Sequence, residues 1–413
     1  MQRFLQKLPF YSRQLFVVLS VVQVLCATYF LRLQQFQAIN SLLFLFCGVT
    51  SAICILYFPP IAFNKASIIN NQSPIKLLIV AACLPVSYHL VRDILDATPV
   101  QIQYADMLPI MGVMCQRFLH GQFTEVYNPI PEIWNGIQPI YLPALWLPFC
   151  SAFVFDFDMR WVTVAGIWLS ILICILPAWR KTIMLLLFVP ALVVLLAWLH
   201  LDKVNNVIRL TEEGIVFFYY SLLAMAIISK NAWFIGSVAA LCLLSRYAIV
   251  GWLPFAIILM LHTKEYKFLI KMLSAGIIVT CLLIIPFGIN SFLFQWKLPQ
   301  QYILHAERVW AENSEFFYHS LGVAKFFGKS NVHLLHTILV WGSFIVPIIF
   351  FSFVRKKNFT TVNVLLAGLQ LSLCFFYNFL DVSYLYLFYT PVFVSLVIAG
   401  WYLSANKKTF DYK

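Results

Sequence analysis

Apolar runs near the length needed to cross a hydrocarbon core recur from Leu15 to Leu403, separated by short polar stretches. The pattern predicts helical spans over 15–31, 40–62, 77–95, 161–178, 183–199, 214–229, 232–248, 250–262, 269–288, 333–353, 361–379 and 384–404. A further apolar stretch, 138–155, carries Pro139, Pro143 and Pro148. Proline removes backbone donors that lipid cannot replace, so this stretch is expected to lie at the outer face and not to span. That choice sets the topology. Both termini fall inside, and Arg180 and Lys181 join Arg355, Lys356, Lys357, Lys407 and Lys408 on the inner side, as the positive-inside rule prefers.

The expected fold is therefore all-α, a polytopic membrane bundle of about 12 transmembrane helices. Two N-terminal spans, within 1–76, precede a membrane core over 77–413. Three outer segments are long, 96–160, 200–213 and 289–332, and chemistry is expected there.

Composition agrees: 62% of residues are hydrophobic, 11% are charged, and the mean hydropathy is +0.86, which excludes water as the solvent for most of the chain. The net charge of +12 reads as topology signal and attraction to anionic lipid headgroups. No basic run interleaved with aromatics supports a nucleic-acid partner. Arg3, Lys7 and Arg13 precede the first apolar run as in a signal peptide, but no small-residue cleavage site follows, so a retained first span is expected. The ten cysteines form no C-x-x-C pair and no zinc-spaced cluster. Only Cys115 and Cys150 lie in the outer region, where a disulfide and two free thiols are both open.

The first outer loop is the most informative. Asp106 precedes an interfacial helix over Met107–Leu119, which His120-Gly121 should stop. Tyr127-Asn128-Pro129 and Tyr141-Leu142-Pro143-Ala144-Leu145-Trp146 follow. This order of an aspartate, a helix, a glycine, Tyr-x-Pro and then Tyr-x-Pro opening an apolar helix resembles the first outer loop of GT-C glycosyltransferases. It is most similar to the polyprenyl-phosphate-mannose-type mannosyltransferases (glycosyltransferase family 87-like). The resemblance extends more weakly over 77–404: Ser245-Arg246-Tyr247 stands where such enzymes often carry a Lys-x-x-Pro-like element, and Asp381-Val382-Ser383-Tyr384 resembles their late aromatic outer turn. Tyr141-Leu142-Pro143 replaces the family's usual Tyr-Pro-Pro, and the spans 15–31 and 40–62 precede the core.

The resemblance implies a GT-C-like fold with juxtamembrane helices in the first outer loop. It also implies transfer of a sugar, a hexose such as mannose, from a polyprenyl-phosphate carrier to a glycan, lipid or protein acceptor. Such a reaction needs a base for the acceptor hydroxyl and groups that hold the departing phosphate. The residue in the family's acidic position is Asp106, whose other reading is a helix N-cap. Arg246 is the candidate phosphate ligand by bidentate chelation, or else a snorkelling charge at a span end. Arg209, with Lys203, is a secondary candidate beside the reading of a solvated loop charge. His305, Glu307 and Arg308, with Trp296, Trp310, Tyr318 and His319, could bind sugar or form an interfacial aromatic belt. Tyr127, Tyr141 and Tyr384 complete the candidate substrate contacts. Asp156-Phe157-Asp158 could hold a divalent metal or simply make an interfacial turn, and no cofactor is required. Glu212 and Glu213 read as helix N-terminal acids more than as substrate contacts.

The competing classes are a multi-span transporter, a lipid-linked glycan flippase, and a polymerase that would use paired arginines. No internal repeat or matched pair of interrupted spans favours a carrier. The compact loops point to a bacterial inner membrane, with the active site toward the periplasm or exterior.

Overall fold

The computed structural model describes residues 2–33, 36–59, 73–134, 136–177, 179, 182–202, 206–288 and 299–404. Among them there is no strand; a lone antiparallel bridge joins Ile130 and Ile137. The chain is a helical membrane protein. Among the described residues, seven helical segments are long and apolar enough to cross a bilayer: Tyr11–Leu31, Gln37–Leu56, Lys76–Ala97, Tyr266–Phe287, Lys329–Val354, Thr361–Asn378 and Leu385–Ser404.

The five other expected spans also fall on apolar helices, but shorter ones: Arg160–Ile175, Leu185–Leu201, Glu213–Ser229, Ala232–Leu243 and Tyr247–His262. The physical reason is local. At a rise of about 1.5 Å per residue, a 12-residue helix such as Ala232–Leu243 covers about 18 Å, well short of a hydrocarbon core of about 30 Å. The span expected over 232–248 stops early because the chain leaves helical geometry at Arg246 (φ −150°, ψ 141°).

The described helices of eight residues or more follow one another in chain order. They are α1 (Gln2–Ala27), α2 (Gln37–Leu56), α3 (Ser73–Ala97), α4 (Met107–Leu119), a bent α5 (Pro143–Val154), α6 (Arg160–Ile175) and α7 (Leu185–Leu201). Then follow α8 (Glu213–Ser229), α9 (Ala232–Leu243), α10 (Trp252–His262), α11 (Tyr266–Ile284) and α12 (Pro299–Glu312). The last are α13 (Val332–Val354), α14 (Thr361–Asn378) and α15 (Tyr389–Ser404).

The core sits on α14 and α15, whose segments are 83% and 89% buried, against 11% for Lys76–Ala97 and 17% for Tyr266–Phe287 at the periphery. Helices without a hydrophobic drive to associate in lipid rely on small residues and polar contacts. Gly166 and Gly214 bring α6 and α8 together so closely that a Cβ on Gly214 would stand 2.0 Å from the Thr163 carbonyl oxygen. In the centre, Gln370 Nε2 donates to Ser395 Oγ at 2.8 Å, and Ser395 Oγ donates to Gln23 Oε1 at 2.7 Å. This chain ties α1 to α14 and α15, so the two N-terminal helices pack into the middle of the bundle instead of standing apart.

Segment 138–155 behaves as its prolines require. It is extended up to Leu142 and begins to coil at Pro143. It passes through a 3-10 turn at Leu147–Phe149 and closes with Cys150–Val154. Its Trp146 and Phe149 are fully buried, packed with α4. Cys115 and Cys150 are free thiols, and Cys115 Sγ donates to the Trp146 carbonyl. Lys203 and Trp296, together with Arg180, Lys181, Lys407 and Lys408, expected on the inner side, lie outside the described residues.

Candidate functional site

One end of the bundle gathers charge from several separate segments. Asp106 opens α4, which runs over Met107–Leu119 as the sequence indicates and is stopped by Gly121 at φ 77°. Asp106 occupies the N-cap position but makes no side-chain cap bond. Its carboxylate makes no hydrogen bond or ion pair among the described residues. The capping alternative therefore loses its physical content.

Tyr141 stands just before α5 and is buried. The Ala144 amide donates to the Leu244 carbonyl at 3.1 Å, and Tyr219 Oη donates to the Ala144 carbonyl at 3.1 Å. These bonds pin the start of α5 to the end of α9 and set Tyr141 beside Arg246. The phenol of Tyr141 is pushed well above its usual range by burial, and then by the charges of Glu212 and Asp106. It stays neutral and remains a hydrogen-bond donor.

Arg246 lies in the break between α9 and α10, with Tyr220 Oη donating to its carbonyl at 3.3 Å. Its Nη2 donates to Glu212 Oε1 at 2.6 Å and to Glu213 Oε1, and its Nε donates to Glu213 Oε1 at 2.9 Å. Both glutamate side chains are fully buried, while that of Arg246 is 25% exposed. The second oxygens, Glu212 Oε2 and Glu213 Oε2, are buried without a partner. Burial pushes the Glu212 carboxyl up, and the charge of Arg246 opposes it. The guanidinium edge expected to chelate a phosphate is thus already held by two carboxylates.

Three residues of α12 line up at intervals of three, which keeps them on one face: Tyr302, His305 and Arg308. Arg308 Nη2 lies 3.1 Å from His305 Nδ1, and His305 Nε2 lies 3.4 Å from Tyr384 Oη. A guanidinium only donates, so Nδ1 accepts and Nε2 carries the proton. Burial, and then the charge of Arg308, holds His305 below the usual imidazole range, in agreement with that neutral tautomer. Tyr384 stacks on Tyr386 with ring centroids 5.4 Å apart, and Tyr386 Oη donates to Met107 Sδ at 3.5 Å. Asp106 is within electrostatic reach of Tyr141, Glu212, His305 and Tyr384. The turn after α14 also carries Asp381, which accepts from His336 Nδ1 at 2.6 Å while its Oδ1 is buried without a partner.

The remaining candidates are placed elsewhere or are otherwise engaged. Tyr127 is buried with its hydroxyl accepting from Trp146 Nε1 at 3.2 Å, and it packs on Phe287, so it holds the loop together. Arg209 sits on the short turn Val207–Leu210, where Asn206 Oδ1 caps its amide at 2.9 Å. Trp310 is stacked against Phe317 at 3.8 Å, which covers that face of the indole, whereas Tyr318 is exposed. Glu307 meets His333 at 3.2 Å, and His319 meets Gln37 at 3.2 Å. Asp158 is committed to Arg160, whose Nε donates to it at 2.9 Å and whose Nη groups also reach the Thr98 and Leu95 carbonyls. Asp156 is exposed on a turn at φ 51°. No group of three or more metal-ligating side chains occurs among the described residues.

Sequence reasoning missed Tyr302, Tyr386 and His336, and it undervalued Glu212, Glu213 and Asp381. The available signal was a pair of acids entering an apolar run with an arginine at another span end, since buried charges in a membrane protein need partners. In sum, the site offers an unpartnered carboxylate, several neutral phenols and a solvent-facing Arg308 beside a neutral histidine. No family model, curated protein or solved structure matches the chain.

Proposed function

We propose that the protein is a membrane glycosyltransferase of GT-C type that moves a hexose from a polyprenyl-phosphate carrier to a glycan, lipid or protein acceptor. The observation that carries this reading is Asp106: a carboxylate with no hydrogen-bond or ion-pair partner among the described residues, set among Tyr141, His305 and Tyr384 at the charged end of an apolar bundle.

In this reading Asp106 takes the proton of the acceptor hydroxyl as the anomeric carbon is attacked. The departing polyprenyl phosphate meets Arg308, whose geometry is kept by His305. Arg246 plays a different part from the one its sequence context suggests. Its guanidinium is already taken up by Glu212 and Glu213, which makes it a poor primary anchor for a phosphate, and its charge acts on the nearby Tyr141 and Tyr386 instead. The neutral phenols of Tyr141 and Tyr384 donate to sugar hydroxyls. The charged end would face outward in a bacterial inner membrane, and twelve crossings would be made up by α6 to α10 together with the non-helical residues that flank each of them.

One observation favours a carrier as the second reading. Two fully buried glutamates with unpartnered oxygens are the kind of groups that couple ion movement to transport. Donor-dependent incorporation of labelled hexose into acceptor by detergent-purified protein separates the two, because detergent leaves no second compartment. Incorporation that scales with enzyme supports transfer. Its absence with a panel of polyprenyl-phosphate hexoses, in protein that is folded and monodisperse, would overturn the reading.

A further inference from the structure

The opposite end of the bundle carries a second, unrelated charged feature. Helix α8 starts at Glu213 in the site and ends at Ser229, so Lys230 stands at the far end, where it caps α8 at φ 57°. The α10–α11 turn lies at the same end, beside the α13–α14 turn: His262 Nε2 approaches the Arg355 carbonyl at 3.4 Å, and Thr361 Oγ1 donates to Glu265 Oε1 at 3.1 Å. A cavity of about 420 Å³ opens here, lined by Lys230, Asn231, Ala232, Trp233, Lys267, Phe268 and Lys271.

Its construction follows from the sequence. Gly236 and Gly276 let α9 and α11 touch, and a Cβ on Gly236 would stand 1.9 Å from the Met272 carbonyl oxygen. That contact holds the second turn of α9 against the second and third turns of α11. Lys267 and Lys271 are spaced i, i+4, so they lie on one face of α11. Lys230 closes the other side. No carboxylate pairs with any of the three lysines among the described residues. Asn231 Oδ1 takes the Phe234 amide at 3.2 Å, while the amides of Ala232 and Trp233, also in the cavity wall, have no intrahelical acceptor. Three like charges and a helix N-terminus in one cavity repel each other until an anion enters. Beyond the lysines, α11 presents Ile270, Leu273, Ile277 and Ile278 as an exposed apolar wall, and Trp233 is 49% exposed at the rim, as interfacial indoles are.

We infer that this cavity binds the phosphate of an anionic phospholipid headgroup, with the acyl chains lying along the exposed wall of α11. The apolar wall is what selects a lipid phosphate over a free one. The inference is independent of the sugar-transfer reading and concerns the other end of the molecule.

The test is native mass spectrometry of the detergent-purified protein with equimolar phosphatidylglycerol and phosphatidylcholine, repeated with millimolar inorganic phosphate. The Lys267→Gln/Lys271→Gln variant is compared with Lys356→Gln/Lys357→Gln, which removes the same charge at the same end but outside the cavity. The wild type is expected to retain phosphatidylglycerol over phosphatidylcholine. The cavity variant should lose roughly 25-fold of that preference while the control keeps most of it. Equal loss in both variants would reduce the effect to general surface charge and overturn the site. Displacement of the lipid by millimolar inorganic phosphate would overturn the choice of a lipid ligand. Equal retention of the two lipids by the wild type would overturn the inference altogether.

Discussion

Replacing Arg246 by methionine keeps most of the side-chain volume and removes one charge from between two buried carboxylates. In the wild type Arg246 donates to Glu212 and Glu213 through Nε and Nη2, and neither glutamate has any exposed side-chain surface. The variant leaves two like charges side by side without a counter-ion, in addition to Oε2 atoms that already lack partners. Removing one member of a buried ion pair costs about 3–5 kcal/mol. For 413 residues, an unfolding entropy of about 2.1 cal/mol/K per residue gives about 0.9 kcal/mol/K, so the melting temperature should fall by roughly 3–6 °C. Protonation of Glu212 and Glu213 would recover part of that cost, which is why the loss should be smaller at pH 5 than at pH 8. The triple variant Glu212→Gln/Glu213→Gln/Arg246→Met removes the stranded charges and should regain at least half of the stability. The assay is thermal unfolding in detergent followed by intrinsic fluorescence at fixed protein and detergent concentration. If Arg246→Met melts within about 1 °C of wild type, or if the triple variant is less stable than the single one, Arg246 does not stabilise the fold by neutralising Glu212 and Glu213.

Other outcomes follow from the same contacts. Arg308→Gln is expected to raise the KM for the lipid-phosphate donor about tenfold or more, with a smaller effect on the acceptor KM, because a charge-assisted phosphate contact is worth about 1.5–3 kcal/mol; equal effects on both substrates would remove it from the phosphate. His305 is held neutral, so its depressed pKa gives a contribution that is complete above the unfolded value of about 6.5 and is lost as pH falls through the lower folded value. Donor binding by the wild type should therefore hold from pH 8 through that ordinary value and weaken only below it, and His305→Gln should abolish that acid limb in a pH titration of donor affinity. Lys325 Nζ donates to the Gln37, Tyr318 and Ser320 carbonyls at 3.1, 3.2 and 2.8 Å. Lys325→Met should cost about 2 kcal/mol in thermal unfolding by leaving those acceptors unmade, whereas Lys329→Met, exposed nearby, should change little.

The helices and their order are legible in the sequence because hydropathy and proline placement act locally. The bounds of α4, its stop at Gly121 and the break-up of 138–155 all follow from residues that lie within the segment itself. Lengths were harder. The span expected over 232–248 ends at Leu243 because Arg246 is drawn out of helical geometry by partners 33 and 34 residues earlier in the chain. The site divides in the same way. Asp106, Tyr141, His305, Arg308 and Tyr384 are recognisable as polar or aromatic groups in the segments between apolar runs. That Arg246 is held by Glu212 and Glu213, or that Phe317 covers a face of Trp310, is a matter of tertiary contact, and no spacing along the chain encodes it.

In the proposed transfer Asp106 acts on the acceptor and not on the fold or on donor binding. Steady-state transfer by Asp106→Asn, measured together with its donor affinity and melting temperature, tests this most directly. Loss of the base should lower kcat by at least about 100-fold, the low end for a general base, with donor affinity and melting temperature close to wild type. Near-normal kcat in folded Asp106→Asn, or a loss explained entirely by weaker donor binding, would contradict it.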